Sequence, residues 1–598
     1  MKRCPECRRD YYDDSLLYCL DDGNALLEGP ASARSEPPAS AGGQFDEPQT
    51  AILSEPPASA GGQSASENPT RPFVHATAEA EPRESLGEAS ERQSLSAHRA
   101  AEPKKSFDKR LLLAPLALAV IVLGGFFGYR YLSSGTSSEI DSIAVLPFQN
   151  VGNDPNFEYL SDGIAESLIN SLTQVQQLKV IARNTAFRYK GKDIDAEQIG
   201  KDLSVKAVLT GRVRQVGDKL NIQVDLVDAV TGAQLWGEEY ERPASDALSI
   251  KQAIAREITE KLRLRLSGEQ RQQLVARETT NAEAYQSYLR GRYYWNRRSA
   301  DGLKKAITEF QQAVDRDPTY ALGYVGLADA YIVSEEYAGT PATERLPKAE
   351  AAVERALQLD PTLAEARTSR AFLYHQQWRW AEAEEEFRKS IALNPNYPTT
   401  RHWFSVYLRA KGRFAEGLTE TKLGQALDPL SPAIGNNVAM MYLLTSDADS
   451  AEREWKKTLD VDPNFAPSYS NLGGLVYIKQ RRYEEAIAAC QRAVQLSDGA
   501  SLHSSILGYA YAVSGNRAEA LQILKELEER YARGETNGQN VARIYTGLGD
   551  KDQAFAWLEK DFSQRSGLLS VIAWWPAFDN LRSDPRYKDL LKRMNLPE

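Results

Sequence analysis

Three of the four cysteines of this chain lie close to its amino terminus, at a spacing that suits a tetrahedral metal ion. Cys4 and Cys7 form a CxxC pair, and Cys19 is followed at the same interval by Asp22. Two intervening residues let one tight turn supply both ligands, thiolates bind zinc at about 2.3 Å, and a carboxylate oxygen is an accepted fourth ligand. The pattern therefore predicts one zinc ion held by Cys4, Cys7, Cys19 and Asp22.

The segment that carries these ligands, residues 1–29, is too short to bury a sizeable core, so we expect its folding to depend on the metal. It resembles the short zinc ribbons that open many bacterial membrane proteins, which usually carry a fourth cysteine where this chain has Asp22. The alternative is a degenerate ribbon that no longer binds metal. A redox CxxC pair is disfavoured because no βαβ pattern surrounds it.

Length and composition place the ribbon within a larger, multidomain chain. At 598 residues the chain should contain about four structural units, on a prior of roughly 150 residues each. Its formal net charge of −10 disfavours a broad nucleic-acid-binding surface, which needs clustered lysine and arginine in excess. We therefore expect no nucleic-acid partner.

Residues 30–104 are predicted to form a disordered linker. The segment is dominated by Pro, Ala, Ser, Gly and Glu, and Phe45 and Phe73 are its aromatic residues. Such a composition cannot bury enough apolar surface to offset the entropy lost on ordering. The ten residues from Ser35 to Gln44 recur from Ser54 to Gln63, which indicates repeat expansion rather than a binding motif.

An apolar segment after the linker predicts one transmembrane helix, over residues 111–132. From Leu111 to Tyr129 the chain has no charged residue, which is about the length needed to cross roughly 30 Å of hydrocarbon. Four basic residues precede it closely, and Arg130 alone follows closely; the four are Lys104, Lys105, Lys109 and Arg110. The positive-inside rule then predicts a single-pass inner-membrane protein with a cytoplasmic amino terminus and an extracytoplasmic, periplasmic carboxyl-terminal region.

Gly124 and Gly128 within this segment are spaced as in helix pairs that pack closely in membranes. A homodimer formed through the span is therefore one arrangement that the sequence allows. The alternative is that these glycines have no role in association, because glycine is common in membrane spans.

Residues 139–267 are predicted to form an α/β sandwich domain. A buried-strand run from Ile143 to Phe148 is followed by a helix, and later strands alternate with short helices. Between Leu220 and Leu226, apolar residues alternate with polar ones, which predicts a strand with one face exposed to solvent. A helix from about Ser245 to Leu266 closes the domain.

Several motifs of this domain resemble one bacterial family. They are Ile143–Phe148 (IAVLPF), Tyr159–Ile164 (YLSDGI), Val180–Arg183 (VIAR), Leu209–Val213 (LTGRV) and Thr231–Trp236 (TGAQLW). Together they are similar to the TolB-amino-terminal-like domain, which is related to the FlgO and CsgG folds. The resemblance implies a non-catalytic assembly or sensing domain, often found between a membrane span and tetratricopeptide repeats.

Residues 280–598 are predicted to form tetratricopeptide repeats with a carboxyl-terminal cap. An Asp or Asn followed by proline recurs at intervals of 43, 34, 34 and 34 residues, at Pro318, Pro361, Pro395, Pro429 and Pro463. A 34-residue period is typical of this repeat. Small residues lie twelve positions before each proline, and mostly large ones lie four positions after these small residues. About eight helical pairs should stack into a superhelix with a concave groove.

The groove is the predicted site for a protein or peptide partner. In this repeat family the sixth residue of the first helix faces the groove and is commonly Asn, whose amide pairs with a peptide backbone. The alignment places Asn437 and Asn471 there, with Arg401 and His402 nearby in the preceding repeat. The alternative is that the two asparagines are helix residues with no partner.

Enzyme signatures are missing from the sequence: it contains no GxxxxGK[ST], GxSxG or HRD…DFG set. The fold class expected is therefore multidomain: a small zinc ribbon, a disordered linker, one transmembrane helix, an α/β sandwich domain and an all-α tetratricopeptide superhelix. We expect a non-enzymatic, membrane-anchored scaffold that binds protein partners. The alternative is a transmembrane sensor or signalling receptor that couples the exported domain to a cytoplasmic effector.

Overall fold

A computed structural model describes most of the second part of the chain. It covers residues 140–597 apart from 153, 155–156, 218, 244–245, 263–278, 298 and 339, together with three short strands at Lys2–Arg3, Asp10–Tyr11 and Leu27–Glu28. Lys2–Arg3 pairs antiparallel with both of the other short strands. The predicted zinc ligands, the linker 30–104 and the predicted span 111–132 lie outside the described residues.

The α/β domain follows the order of elements that the sequence predicts. Its elements are β1 (Ser142–Val145), β2 (Gln149–Asn150), α1 (Glu158–Thr173), β3 (Lys179–Val180), α2 (Arg183–Ala186), α3 (Ala196–Leu203), β4 (Ala207–Val216), β5 (Lys219–Asp228), β6 (Gln234–Pro243) and α4 (Ala247–Lys261). The sheet order is β3-β1-β4-β5-β6, and β2 also pairs with β4. β1 is parallel to β3 and β4, whereas β4, β5 and β6 form an antiparallel meander.

The alternation of apolar and polar residues along β5 determines which face of the sheet is buried. Leu220, Ile222, Val224 and Leu226 are completely buried, whereas the intervening side chains are at least partly exposed. Period-two alternation places all the apolar groups on one face, where α4 packs against β5 and β6. The predicted strand with one solvent-exposed face is confirmed.

Sixteen helices of the described residues form eight antiparallel pairs. They are α5 (Ala282–Trp295), α6 (Ala300–Arg316), α7 (Ala321–Ala338), α8 (Ala342–Leu359), α9 (Ala364–Gln376), α10 (Trp380–Leu393), α11 (Pro398–Ala410), α12 (Phe414–Leu427), α13 (Pro432–Leu444), α14 (Ala448–Val461), α15 (Ala466–Asn471), α16 (Tyr483–Leu496), α17 (Ser501–Val513), α18 (Arg517–Ala532), α19 (Gly538–Leu548) and α20 (Lys551–Ser563). After Asn471 the first helix of the sixth pair continues as a π-helix, Leu472–Tyr477. This architecture is the predicted helical superhelix.

Small and large side chains interlock where helices of the same pair and of the next pair meet. Phe310 is fully buried, and a Cβ added to Gly291 or Gly326 would come within 2.5 and 2.4 Å of its ring. Only glycine on α5 and α7 therefore lets this ring lie between them. The predicted small positions Ala306, Ala349, Ala383 and Ala451 and the large positions Phe387 and Trp455 are all fully buried, as expected for a stacked core.

The carboxyl-terminal segment does more than cover the last pair. It comprises two 3₁₀ helices, Gly567–Ala573 and Pro576–Leu581, and α21 (Pro585–Arg593). The first 3₁₀ helix packs against α9 and α11, far back in the array. The Trp380 indole N–H donates to the Met594 carbonyl at 2.7 Å. The predicted cap therefore also joins the end of the array to its middle.

None of the helices in the described part of the chain combines the length and the apolar character that crossing a membrane requires.

Candidate functional site

The inner helices of the array carry the residues predicted to bind a partner, and Asn437 of α13 is the first of them. Its side chain is only 3% exposed. Its amide nitrogen donates to Ser405 and Thr421, and its oxygen accepts from an Arg409 Nη at 3.0 Å. The amide thus binds three neighbouring side chains inside the array.

Asn471, at the end of α15, is also buried and bonded within the array. Its amide nitrogen donates to the Asn436 oxygen at 2.9 Å, and the same oxygen accepts from the Trp455 indole at 2.8 Å. Arg401 of α11 pairs with Glu420 of α12 at 2.6 Å, and His402 beside it is half-buried. The four residues lie on consecutive inner helices, and a role for them in partner binding stays a prediction.

Two arginines on the inner helices were not predicted from the sequence: Arg409, which is half-buried, and Arg543, which is buried. Arg409 lies in the last turn of α11, and Arg543 is the sixth residue of α19. Neither makes an ion pair with a carboxylate of the described residues, and burial lowers the pKa of each guanidinium to about 10. Arg543 is the sixth residue of a first helix, the position by which Asn437 and Asn471 were predicted to bind a partner. The same rule applied to the last repeat would have predicted Arg543 as well.

Aromatic rings of the carboxyl-terminal segment cover these guanidinium groups. Arg409 lies 4.1 Å from the ring centre of Trp574, and Arg543 lies 5.2 Å from that of Trp575. A cation over an aromatic face gains from the ring quadrupole, and more so when it is desolvated. The inner face of the array is therefore closed at this point by residues of the same chain.

Two histidines beside these arginines are held neutral. Burial and the positive charge of Arg409 lower the pKa of His375 to about 3. Burial and the positive charge of Arg543 lower the pKa of His503, whose Nδ1 bonds to the Ser470 hydroxyl, to about 4. Burial is the larger cause of both lowered pKa values, and the neighbouring guanidinium groups add to it.

The α/β domain docks on the first pair of the array through a buried carboxylate. Glu166 of α1 pairs with Arg292 of α5 at 2.7 Å and with Arg183 of its own domain at 2.8 Å. Burial alone would raise the pKa of Glu166, but the two guanidinium groups outweigh it and the pKa is lowered. Removing one partner of this buried set would leave a charge uncompensated at the junction, which is strongly unfavourable.

The turns between repeats form the rest of this interface. Asp428 accepts hydrogen bonds from the Thr185 amide at 3.0 Å, the Thr185 hydroxyl at 2.7 Å and the Asn184 amide at 2.9 Å. One repeat earlier, Asn396 donates to the Leu178 carbonyl at 3.2 Å, and one repeat later Asp462 pairs with Arg188 at 3.2 Å. Turns at successive 34-residue steps therefore hold one edge of the α/β domain.

Metal-binding chemistry was predicted for Cys4, Cys7, Cys19 and Asp22, which lie outside the described residues. Across the described ranges, no group of three or more His, Cys, Asp or Glu side chains is arranged to hold a metal ion. The remaining cysteine, Cys490, is fully buried in α16, and burial raises the pKa of its thiol to about 12. Such a thiol is a packing group rather than a nucleophile or ligand.

Known families match a part of each region of the described chain. Residues 442–501 match the tetratricopeptide repeat family, which confirms that the chain carries these repeats. Residues 138–260 match the family described as HilA/YgeH-like transcriptional regulator, second domain. That family is not the TolB-amino-terminal-like domain that the strand motifs resemble, and the TolB-like resemblance stays a prediction.

Similar proteins share parts of the chain. A protein of Rhizobium meliloti (strain 1021) named "Putative adenylate cyclase 3" is 34% identical over 187 residues, which are 31% of this chain. The chain spans about a third of the length of that relative (32%). Among solved structures, that of pilF of Pseudomonas aeruginosa resembles part of the chain, with 19% sequence identity. The match covers 36% of this chain and 94% of pilF, and its TM-score is 0.29. YrrB, a TPR protein with an unusual peptide-binding site, is 19% identical over 31% of this chain and 91% of its own, with a TM-score of 0.24.

Proposed function

We propose that this chain is a non-enzymatic scaffold that binds protein partners through its tetratricopeptide repeats. The observation that carries the proposal is the stack of eight helical pairs, of which residues 442–501 match the repeat family. Each pair buries its apolar face against its neighbours, and the resulting extended surfaces are the usual binding surfaces of solenoid proteins.

The docking of the α/β domain supports a scaffold rather than two independent modules. Buried polar groups at Glu166 and Asp428 hold the domain on the array at two separate points. Groups of this kind specify geometry, because each is costly unless all its partners are in place. A partner bound to the repeats would therefore meet the α/β domain in one fixed orientation.

The finer proposal is that this scaffold is anchored in the inner membrane and exported, with a zinc ribbon in the cytoplasm. The uncharged segment 111–129, the basic residues before it and the Cys4, Cys7, Cys19 and Asp22 spacing support this arrangement. A homodimer through Gly124 and Gly128 belongs to the same proposal.

A signalling receptor is the second candidate. It is favoured by the match of residues 138–260 to a family described as transcriptional regulators, and by the relative named as an adenylate cyclase. In such a receptor the α/β domain would sense a ligand, and the cytoplasmic ribbon would pass its state to an effector. A linker of about 75 residues transmits force poorly, which favours the scaffold.

Site-specific photocrosslinking in cells tests the scaffold and locates its binding surface. A photoreactive residue placed at His402 probes the inner helices, at Leu423 the exposed surface of a second helix, and at Gln223 the open face of the sheet. The proposal predicts one discrete protein partner at His402 or Leu423, whose purified form binds the purified chain. Crosslinks at Gln223 alone would favour the receptor, and no discrete partner at any position would contradict the scaffold.

A further inference from the structure

The sheet of the α/β domain has one face that is open to solvent along the outer part of β4, β5 and β6. Apolar side chains fill the opposite face, where α4 packs on β5 and β6. α3 packs on the beginning of β4, where Val208 is fully buried, so the open part begins at Thr210. From there the side chains that alternate onto this face are exposed or half-buried. The open face is therefore a polar surface on three neighbouring strands.

Charged side chains on the open face follow the same order in two rows that run across the strands. Each row leads from a guanidinium on β4, through an amide on β5, to a carboxylate on β6. The rows given by the strand register are Arg212, Gln223 and Glu239, and Arg214, Asn221 and Glu241. Residues that lie directly opposite each other on paired strands share one face of the sheet. The open face is therefore basic along β4 and acidic along β6.

These charges are exposed and only weakly engaged within the domain. Neither Arg212 nor Arg214 forms an ion pair with a carboxylate of the described residues. Glu239 accepts a hydrogen bond from Asn221, and Glu241 pairs with Lys219 at 2.7 Å. Exposed pairs of this kind are weak, because water screens them. Contacts with a second molecule would therefore replace little that stabilises the domain itself.

We propose that this face binds the same face of a second copy of the chain, about a two-fold axis that runs along β5. Rotation about that axis turns the face over and exchanges its β4 and β6 sides. Arg212 of each copy then lies opposite Glu239 of the other, and Arg214 lies opposite Glu241. Gln223 lies at the axis and meets Gln223 of the other copy. An axis across the strands would instead place β4 against β4 and bring like charges together, so the order of charges selects one of the two arrangements.

The path of the chain selects the same axis, in an argument that rests on the proposed membrane anchor. β1 and β4 are parallel, and both begin at the same end of the sheet. About an axis along β5 the strands of the two copies run in the same direction, so Ile140, which leads into β1, lies at the same end in both. Residues 133–139 alone separate Ile140 from the predicted span. Two spans in one membrane need both copies to enter from one side, whereas an axis across the strands would place the two entry points at opposite ends.

The size of the open face indicates a dimer that is weak in solution. Strands lie about 4.8 Å apart and rise about 3.3 Å per residue, so about seven residues on each of three strands present a face of roughly 14 by 23 Å. That is small beside the roughly 800 Å² that each partner buries in a typical stable interface. Anchoring both copies in one membrane raises their effective concentration without any new contact. The association is therefore best measured with the full-length chain in cells.

Photocrosslinking from Gln223 in cells tests the proposal, because this position faces its own copy across the axis. The expected product contains two copies of the chain, identified by mass spectrometry of the linked peptides, and is separate from any product with a different protein. Arg212→Glu and Glu239→Arg each bring like charges together and should lower the yield about fivefold or more. Both changes in one chain restore opposite charges across the axis and should return the yield to within about twofold of the parent. Arg256→Glu, an exposed position on α4 on the opposite side of the sheet, is the matched control and should leave the yield unchanged.

The combined variant also separates a lost contact from a damaged fold, since a misfolded domain would not be rescued by a second change. Absence of a two-copy product at Gln223 would overturn the surface. A yield that Arg212→Glu leaves unchanged, or that the combined variant does not restore, would overturn the axis. The scaffold and the anchor are read separately, by a different protein crosslinked at His402 or Leu423 and by a phosphatase fused after Glu598. An active fusion without the two-copy product would overturn the dimer alone, and an inactive fusion with a product that follows the charges would support the dimer and overturn the anchor.

Discussion

Replacing Asp428 with alanine is expected to loosen the α/β domain from the repeat array while leaving each of them folded. Asp428 is buried in the turn between α12 and α13, and its carboxylate accepts three hydrogen bonds from Asn184 and Thr185. The Thr185 hydroxyl in turn accepts from the Leu430 amide at 2.7 Å. Hydrogen bonds are therefore donated across the interface from both sides, to Asp428 by the α/β domain and to Thr185 by the array.

The magnitude follows from what the substitution leaves unpaired. Without the carboxylate, the buried Thr185 amide has lost its acceptor, and an unsatisfied buried donor costs about 1–3 kcal/mol. The loss is offset in part because burial raises the pKa of Asp428 above its ordinary value, so the ionised carboxylate is itself costly to bury. A loss of at most about 1–3 kcal/mol at the interface corresponds to at most roughly 5- to 150-fold more frequent opening.

Hydrogen exchange measured by mass spectrometry reads this opening directly, because the Thr185 amide is itself the donor. Peptides that cover residues 182–189 should exchange about 5- to 150-fold faster in Asp428→Ala, whereas those from β4 and β5 should be unchanged. Asp360→Ala is the matched control. Asp360 occupies the same place two repeats earlier, and it accepts hydrogen bonds from the amide and hydroxyl of Thr362 in its own turn at 2.9 and 2.7 Å.

Two results would refute this reasoning. Unchanged exchange at residues 182–189 in Asp428→Ala would mean that the domain is held mainly by other contacts, such as the pair of Glu166 with Arg292. An equal effect of Asp360→Ala would mean that any turn substitution loosens the array, and that the bonds of Asp428 to Thr185 carry no special weight.

Three further predictions concern the ends of the chain. A peptide of residues 1–29 prepared in reducing, metal-replete conditions should hold one zinc by elemental analysis, and Asp22→Cys should bind it more tightly; a folded peptide without metal would contradict this. A phosphatase fused after Glu598 should be active, because it is exported; an inactive fusion at normal expression would reverse the topology. Burial raises the pKa of Asp561 to about 7, so the folded chain keeps a proton that the unfolded chain releases near pH 4, and the stability of the last repeats should fall as pH rises from about 4 to about 7. Asp561→Asn should flatten this slope in thermal melts, and an unchanged slope would point to another titrating group.

Local periodicity was sufficient to predict most of the longer helices and strands of the described chain. The alternation from Leu220 to Leu226 identified the strand and its buried face, and the recurring Asp–Pro and Asn–Pro steps identified the helical pairs. These patterns predict structure because each reflects a regular local geometry. Side chains alternate every two residues along a strand, and each sequence repeat forms one helical pair. The limits of elements shifted by a few residues, as with α4, expected from about Ser245 to Leu266 and observed over Ala247–Lys261.

The same local pattern could not predict that some of the repeat turns also bind the α/β domain. An Asp or Asn before proline is explained by the turn that it forms, in which Asp360, for example, accepts hydrogen bonds from Thr362. Asn394, Asp428 and Asp462 obey the same rule, yet each also bonds to the α/β domain. Which turns acquire this role depends on where a distant domain lies against the superhelix, and no local signal encodes that position.

The contacts made by residues on the inner face of the array also depend on distant parts of the chain. Asn437, Asn471 and Arg543, all at the sixth position of a first helix, are buried on inner helices, and a role for this position in partner binding stays a prediction. What they meet there depends on how small rotations between pairs accumulate over the whole stack. Here the accumulated curvature brings the segment after Ser566 back against α9 and α11, and its two tryptophans cover Arg409 and Arg543. A partner that used the inner face at this point would have to replace those aromatic contacts, so the exposed surfaces of the second helices are the more accessible route for binding.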